Sequence, residues 1–455
     1  MTVVLRNALW ALCVLILIGC ASHGIPRWRY FQGDLPGHGY IPVESGFALS
    51  SAWTSGPYNI ATSSPVIGVD VEGQEVVYFG TVDGELVALN SKDGNERWRR
   101  SFATESKIAS IIAAPAVSRN GEIYVVSNHR QAEDGFSSTL HKVDEFSRIR
   151  WSYAFTDNGF TSGAPKILKW GEVTLVFIYV TLVVDGDPQG ALLALRDNGK
   201  TVELLDRKAL GHCQWDSSEL QARKADVFNA SSALWDFATE FSSEIDKGVT
   251  QLPNVFVDPT VAVFTARKLP LIAIADNLCS IGAFEWDEDL SVVWQESHPY
   301  ERHSSTVLLP NGMMVFGRQD GTVLAHDMET GIKLWSHDAG QSVLATPAAA
   351  SESYLFLVAK DHIEVLDQQD GGLVYNDQSP RKFRLPGPTY ASPVVTKNCV
   401  YVSTSAMLTF SYDLSTRSQD TNFRGNGVAS LALGNNGAIY AVSADGFIHK
   451  YLGHK

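Results

Sequence analysis

Residues 76–98 read VVYFGTVDGELVALNSKDGNERW, and residues 314–335 read MVFGRQDGTVLAHDMETGIKLW. Each stretch runs through an apolar strand, an Asp-Gly turn, an alternating strand, a Gly turn and a strand that ends in Trp. In both, the Asp of the first turn precedes the Trp by fifteen residues, Asp83 to Trp98 and Asp320 to Trp335. Asp-Gly suits a tight antiparallel hairpin because both residues tolerate positive φ. The same plan recurs, eroded, at 123–151, 192–205, 271–294, 355–375, 400–423 and 439–451.

A second marker sets the period. A small residue followed by proline stands at Ser64-Pro65, Ala114-Pro115, Ala164-Pro165, Thr346-Pro347 and Ser392-Pro393, with Asp258-Pro259, Ser304-Ser305 and Ser430-Leu431 in equivalent places. The steps are 50, 50, 94, 46, 42, 46 and 38 residues, so one step is double length and there are eight units. Four short strands per unit form a twisted sheet, and eight sheets packed around an axis predict an all-β, eight-bladed β-propeller of four-stranded antiparallel blades. Separate small β domains, or a ring of seven blades, are the alternatives. The last unit stops at Tyr451 with three strands, while residues 47–55 form an orphan strand containing Trp53, one repeat length before Trp98. That strand is expected to complete the eighth blade and leave no unpaired ring edge.

The strand, Asp-Gly, strand, x-Gly-x₃-Trp pattern resembles the pyrroloquinoline-quinone-type propeller repeats over residues 47–452, most strongly in the units ending at Trp98 and Trp335 and most weakly in the third and seventh. Quinoprotein dehydrogenases of this type hold a quinone and a calcium ion on the axis, and many place an adjacent Cys-Cys pair against the cofactor. No Cys-Cys occurs here, and no Glu, Asn and Asp set stands out as calcium ligands. No cofactor, metal site or catalytic residue is therefore expected. A phosphate loop, an H-E-x-x-H pair and a G-x-S-x-G elbow are also absent from the sequence.

The chain has 455 residues, 45% of them hydrophobic and 19% charged, which excludes wholesale disorder. Its net charge of -14 and the lack of a basic stretch exclude nucleic acid as a partner. Residues 1–19 read as a signal peptide, with Arg6 as the positive region and the uncharged run Ala8 to Ile18, too short to span a bilayer. The run ends in Leu17-Ile18-Gly19-Cys20, which resembles the lipobox of bacterial lipoproteins. That resemblance implies lipidation at Cys20, a membrane contact through the acyl chains, and a body facing the periplasm. Ala21-Ser22 lacks the aspartate tied to inner-membrane retention, which favours the outer membrane and leaves the inner one open. Residues 20–46, rich in Gly and Pro, are expected to be a lipidated tether. The apolar segment Leu175 to Val184 has strand length rather than span length.

The double-length step contains an insertion, residues 212–252. Ser218 and Gln221 form a capping box, and Leu220, Val227, Leu234, Phe237 and Phe241 fall on one apolar stripe, with Trp235 off it. A helix is expected there, covering its own propeller or docking a partner. Between units four and five, His298, Tyr300, Arg302 and His303 share a loop of the kind that lines an axial face; a plain polar connection is the alternative. Cys213 and Cys279 flank the irregular region, and sequence leaves open whether they pair.

The chain thus resembles the propeller lipoprotein family of the outer-membrane β-barrel assembly machinery, which shares lipobox, blade number and repeat type. The resemblance implies a non-enzymatic scaffold that binds other envelope proteins. A small-ligand or glycan-binding propeller is the second class, and a quinone-dependent dehydrogenase the third.

Overall fold

The computed structural model describes residues 28–454 apart from 61, 104–108, 131–135, 158, 185–186, 211–258, 279, 299–301, 351–352, 377–378, 406–407, 416–417 and 444. The signal peptide, Cys20, the expected helix over 212–252 with its docking residues, Cys213, Cys279 and Tyr300 lie outside the described residues. Among those described there is no helix.

In the first blade the chain moves outward from the axis through Val66–Val69, Glu75–Gly80, Glu85–Asn90 and Glu96–Ser101, each strand antiparallel to the last. We call these positions A, B, C and D. The B and C strands are buried nearly throughout, because neighbouring blades cover both faces, and so they read as continuous apolar runs. The D strand, ERWRRS, exposes alternate residues, as a half-covered edge must. Each fully buried Val or Leu in B and C contributes about 1.5–3 kcal/mol.

The chain forms eight such blades, with A strands at Val66–Val69, Ala116–Val117, Lys166–Trp170, Ala262–Phe264, Val307–Leu308, Ala348–Ala350, Val394–Val395 and Ala432–Leu433. The second blade gains a fifth piece, Ala109–Ser110, beside its B strand. In the eighth, the D strand is Ala48–Ser55, paired antiparallel with Ile448–His454, so the two ends of the chain share one sheet. Apolar clusters lie between blades, not within them: Tyr78 and Val66 of the first pack with Val125 and Ile123 of the second, and Phe177 of the third packs with Trp286 of the fourth.

The Trp of the repeat is the staple between blades. A β-bulge just before it, at Ala52, Arg97, Arg150 and Leu334 among others, turns the indole toward the next blade. The indole N–H of Trp98 donates to the Glu145 carbonyl at 2.7 Å, Trp294 to Met328 at 3.0 Å and Trp335 to Gln368 at 3.1 Å. Trp151 donates instead to the Asp197 carboxylate at 2.9 Å. The Gly of the second turn completes the staple. Gly94 and Gly371 have φ of +74° and +70°, and each lies directly under the Trp of the preceding blade.

The described part of the expected tether is built into the ring. Trp28, Tyr30 and Ile41 are buried. Carbonyls of residues 28–43 follow the axis around and accept from successive A strands: Trp28 from Ile67, Arg29 from Val117, Leu35 from Val263, Pro36 from Leu308, His38 from Ala349 and Gly39 from Val395. At the third blade the Tyr30 hydroxyl donates to the Ile167 carbonyl at 2.7 Å. Gly and Pro allow this path, but buried aromatic side chains and satisfied backbone hold it in place. The segment plugs one end of the axis, the end that carries the A–B and C–D turns.

Candidate axial site

The opposite end of the axis is a funnel lined by the residues that lead into every A strand, among them Ser64, Ala114, Ala164, Thr260, Ser305, Thr346, Ser392 and Ser430, with Phe31 of the plug also contributing. Most of the small-Pro marker falls here, and the structure explains it as a belt of hydroxyls joining neighbouring blades. The Ala164 N–H donates to Thr260 Oγ1 at 3.0 Å and Thr260 N–H to Ser305 Oγ at 2.8 Å. Thr346 N–H donates to Ser392 Oγ, Ser392 N–H to Ser430 Oγ and Ser430 N–H to Ser64 Oγ, each at 2.9 Å. Such bonds are worth about 0.5–1.5 kcal/mol each, and more to the ring if lost, since the amides are buried. Ala114 and Ala164 interrupt the belt with methyl groups. The belt residues of the fourth and fifth blades are Thr260 and Ser305, two and one positions beyond Asp258 and Ser304, which the spacing had suggested.

Of the axial-loop residues singled out in sequence, Arg302 and His303 line the funnel. His298 lies apart from that lining, with Nε2 at 3.5 Å from Glu296. His303 is locked in place: its N–H donates to Asn277 Oδ1 at 2.9 Å, and its Nδ1 donates to the Asp276 carbonyl at 2.6 Å. Burial holds its pKa down to about 4, against the opposing effect of that carbonyl, so the ring is neutral at physiological pH with Nε2 as an acceptor. Tyr390 stands within the field of Arg302, and burial raises its hydroxyl pKa despite that charge. Among the described residues the lining offers hydroxyls, amides, one guanidinium and one neutral imidazole, and contains no carboxylate.

Sequence reasoning missed the plug and its polar anchor. Lys166, fully buried at the start of the third A strand, donates from Nζ to the carbonyls of Phe31 at 3.0 Å and Asp34 at 2.6 Å. Burial lowers its pKa to about 7, with the Asp34 charge opposing. Asp34 in turn accepts from the N–H groups of Gly37 and His38 and pairs with His38 Nδ1 at 2.6 Å. The signal in the sequence was aromatic: Trp28, Tyr30 and Phe31 are poor tether residues and good plug residues.

Ring, belt and stapling Trp define a propeller of the pyrroloquinoline-quinone-like repeat class. Two stretches, residues 50–138 and 285–443, together more than half of the chain, match the family model described as outer membrane protein assembly factor BamB. The chain belongs to that family. No curated protein matches it in sequence. Among solved structures it is similar to a europium-containing methanol dehydrogenase, at 12% identity and TM-score 0.62 over 95% of this chain and 98% of that one. The quinohemoprotein alcohol dehydrogenase from Comamonas testosteroni matches at 12% identity and TM-score 0.61, over 97% of this chain and 82% of the other. BamB from Moraxella catarrhalis matches at 16% identity and TM-score 0.48, over 89% and 100%. At 12% identity the dehydrogenase likeness concerns the fold alone.

The funnel does not fit the group that the names of those dehydrogenases imply. A hard cation needs several oxygen ligands, carboxylates among them. Among the described residues the lining has none, and no three His, Cys, Asp or Glu side chains converge in a way that could hold a metal.

Proposed function

We propose that the chain is a non-enzymatic, lipid-anchored scaffold at the periplasmic side of the bacterial outer membrane, an accessory of outer-membrane protein assembly. The family match carries this reading, because it spans blades on both sides of the insertion. The lipobox at Cys20 supplies the anchor, and several acyl chains hold a protein at a bilayer without a spanning segment. Other envelope proteins are the partners, bound at blade edges, at the funnel mouth and at the insertion 212–252, with Leu220, Val227, Leu234, Trp235, Phe237 and Phe241 as its docking residues.

Cross-linking in membranes followed by mass spectrometry tests the proposal, comparing the intact chain with a variant whose residues 212–252 are replaced by a short Gly-Ser loop. A stoichiometric partner trapped by the first and lost from the folded second supports docking through the insertion. A partner trapped equally by both moves the docking surface to the blades, and none trapped by either removes the scaffold reading. The funnel's hydroxyls, Arg302 and His303 favour a second reading, a small-ligand or glycan-binding propeller. Thermal stabilisation by glycans, lost in Arg302→Ala, would support it.

A further inference from the structure

The plug fixes more than one end of the axis; it also fixes where an anchor can attach. Trp28 is buried over the first A strand, its carbonyl accepting from Ile67 N–H. Cys20 precedes it by eight residues, a reach of at most about 28 Å at roughly 3.5 Å per residue. To lead to the funnel face, that length would have to pass outward under four strands, about 14 Å, and then climb a six-residue strand, about 20 Å. The way through the centre is filled by the plug itself, with Phe31 lining the base of the funnel.

The surface agrees. Antiparallel strands put the A–B and C–D turns on the plugged face, where Val43 and Ser45 of the plug bond Lys397 and Asn398 of a neighbouring A–B turn. Val71, 79% exposed, lies in the A–B turn of the first blade. Phe146, 59% exposed, lies in the C–D turn of the second, and Ile332, 64% exposed, closes the C–D turn of the fifth. The Val71 N–H donates to Glu145 Oε2 at 3.0 Å, which couples the first two turns. Of the other exposed large apolar residues, Leu204, Val292 and Leu334 lie on D strands, Leu452 on the C strand of the eighth blade and Tyr375 on a short hairpin between the C and D strands of the sixth. Among the described residues none is on a funnel-side turn.

The geometry points to the plugged face as the surface that meets the lipid bilayer, with Val71, Phe146 and Ile332 entering the headgroup region and the funnel mouth opening away from the membrane. This inference rests on the lipid anchor at Cys20 proposed above. Small apolar contacts of this kind add to a lipid anchor and orient the body, since one attachment point alone leaves it free to swivel.

The test uses the full chain in its own membranes, with p-benzoylphenylalanine placed at Val71, at Phe146 or at Asp83, an exposed residue of a funnel-side B–C turn. Photolysis is followed by mass spectrometry of phospholipid adducts, and the N-terminal peptide is weighed in the same sample. Adduct yield at 71 and 146 is expected to exceed that at 83 on the order of tenfold, because interfacial side chains sit about 5–10 Å into the headgroup boundary. Equal yields, or adducts to protein only at 71 and 146, overturn the inference. If a probe lowers the thermal transition, Ile332 takes its place. Segregated adducts with an unmodified Cys20 would keep the face assignment and remove the anchor; an acylated Cys20 without segregation would do the reverse.

Discussion

The indole of Trp53 donates to the backbone carbonyl of Ser91 across 3.0 Å, joining the eighth blade to the first at the seam where the chain ends meet. Its ring also lies over Gly94, whose φ of +74° turns the first blade beneath it. Trp53→Ala should destabilise the chain by about 3 kcal/mol, near the lower end for a large aromatic because the side chain is only half-buried. Trp53→Phe should cost about 1 kcal/mol or less, since Lys450 Nζ also donates to the Ser91 carbonyl, at 2.7 Å. Urea denaturation of both variants checks the order, and equal losses would argue against stapling through the ring.

Gly371 separates two costs that one glycine can carry. A Cβ there would meet Trp335 at 2.4 Å, at a φ of +70°. Gly340 has nearly the same φ, +71°, with nothing within 4 Å of the added carbon. Gly340→Ala should therefore lose about 1–2 kcal/mol, the left-handed backbone cost alone. Gly371→Ala should lose about 1–3 kcal/mol more from overpacking. Matched denaturation curves for the pair measure the difference directly.

These two features show which parts of the fold were legible. Asp-Gly turns and the Gly-x₃-Trp spacing are local, because hairpin geometry and the stapling indole impose them within one unit, and they yield eight blades. The belt is not local. Thr260 and Ser305 earn their places by reaching an amide in another blade, so the spacing landed on Asp258 and Ser304. The plug was hidden for a related reason: its bonds are given by carbonyls, which every residue carries, and only Trp28, Tyr30 and Phe31 hinted at burial. In the funnel, Arg302 and His303 were visible as an axial loop, whereas Asn277 and Tyr390, which come from other connections, carry no mark in their own units.

The buried Glu364 should make the sixth blade sensitive to pH. Its carboxylate binds His337 Nε2 at 2.6 Å, His362 Nε2 at 3.1 Å and the Lys382 ammonium. Those partners outweigh burial and hold its pKa well below the usual carboxylate range, while the bond from Glu364, over the opposing effect of burial, raises that of His362. The Glu364 contribution is present above its unfolded value near 4.5 and is lost as pH falls through its folded value. The His362 contribution is complete below its unfolded value near 6.5 and is lost as pH rises through its higher folded value. Together they favour the fold most between these limits. Glu364→Gln should cost about 3–5 kcal/mol there, as expected for breaking a buried pair. The stability difference between wild type and variant, measured from pH 4 to 8, should be largest between these limits and shrink above pH 6.5.

Lys166 carries the opposite dependence and reports on the plug. Its pKa is lowered by burial from 10.5 to about 7. Between those values the unfolded chain binds a proton that the folded chain lacks, so this residue makes stability rise with pH across that window, by at most about 1.4 kcal/mol per pH unit. Below pH 7 both states are protonated, and the burial penalty is constant. Above it the neutral amine still donates to the carbonyls of Phe31 and Asp34. Lys166→Met removes both the penalty and the two bonds. The variant should therefore compare best with wild type at pH 6 and worst at pH 9, where losing the bonds costs about 1–2 kcal/mol. Urea denaturation at the two pH values measures this, and a loss independent of pH would mean that the buried amine does not titrate with folding.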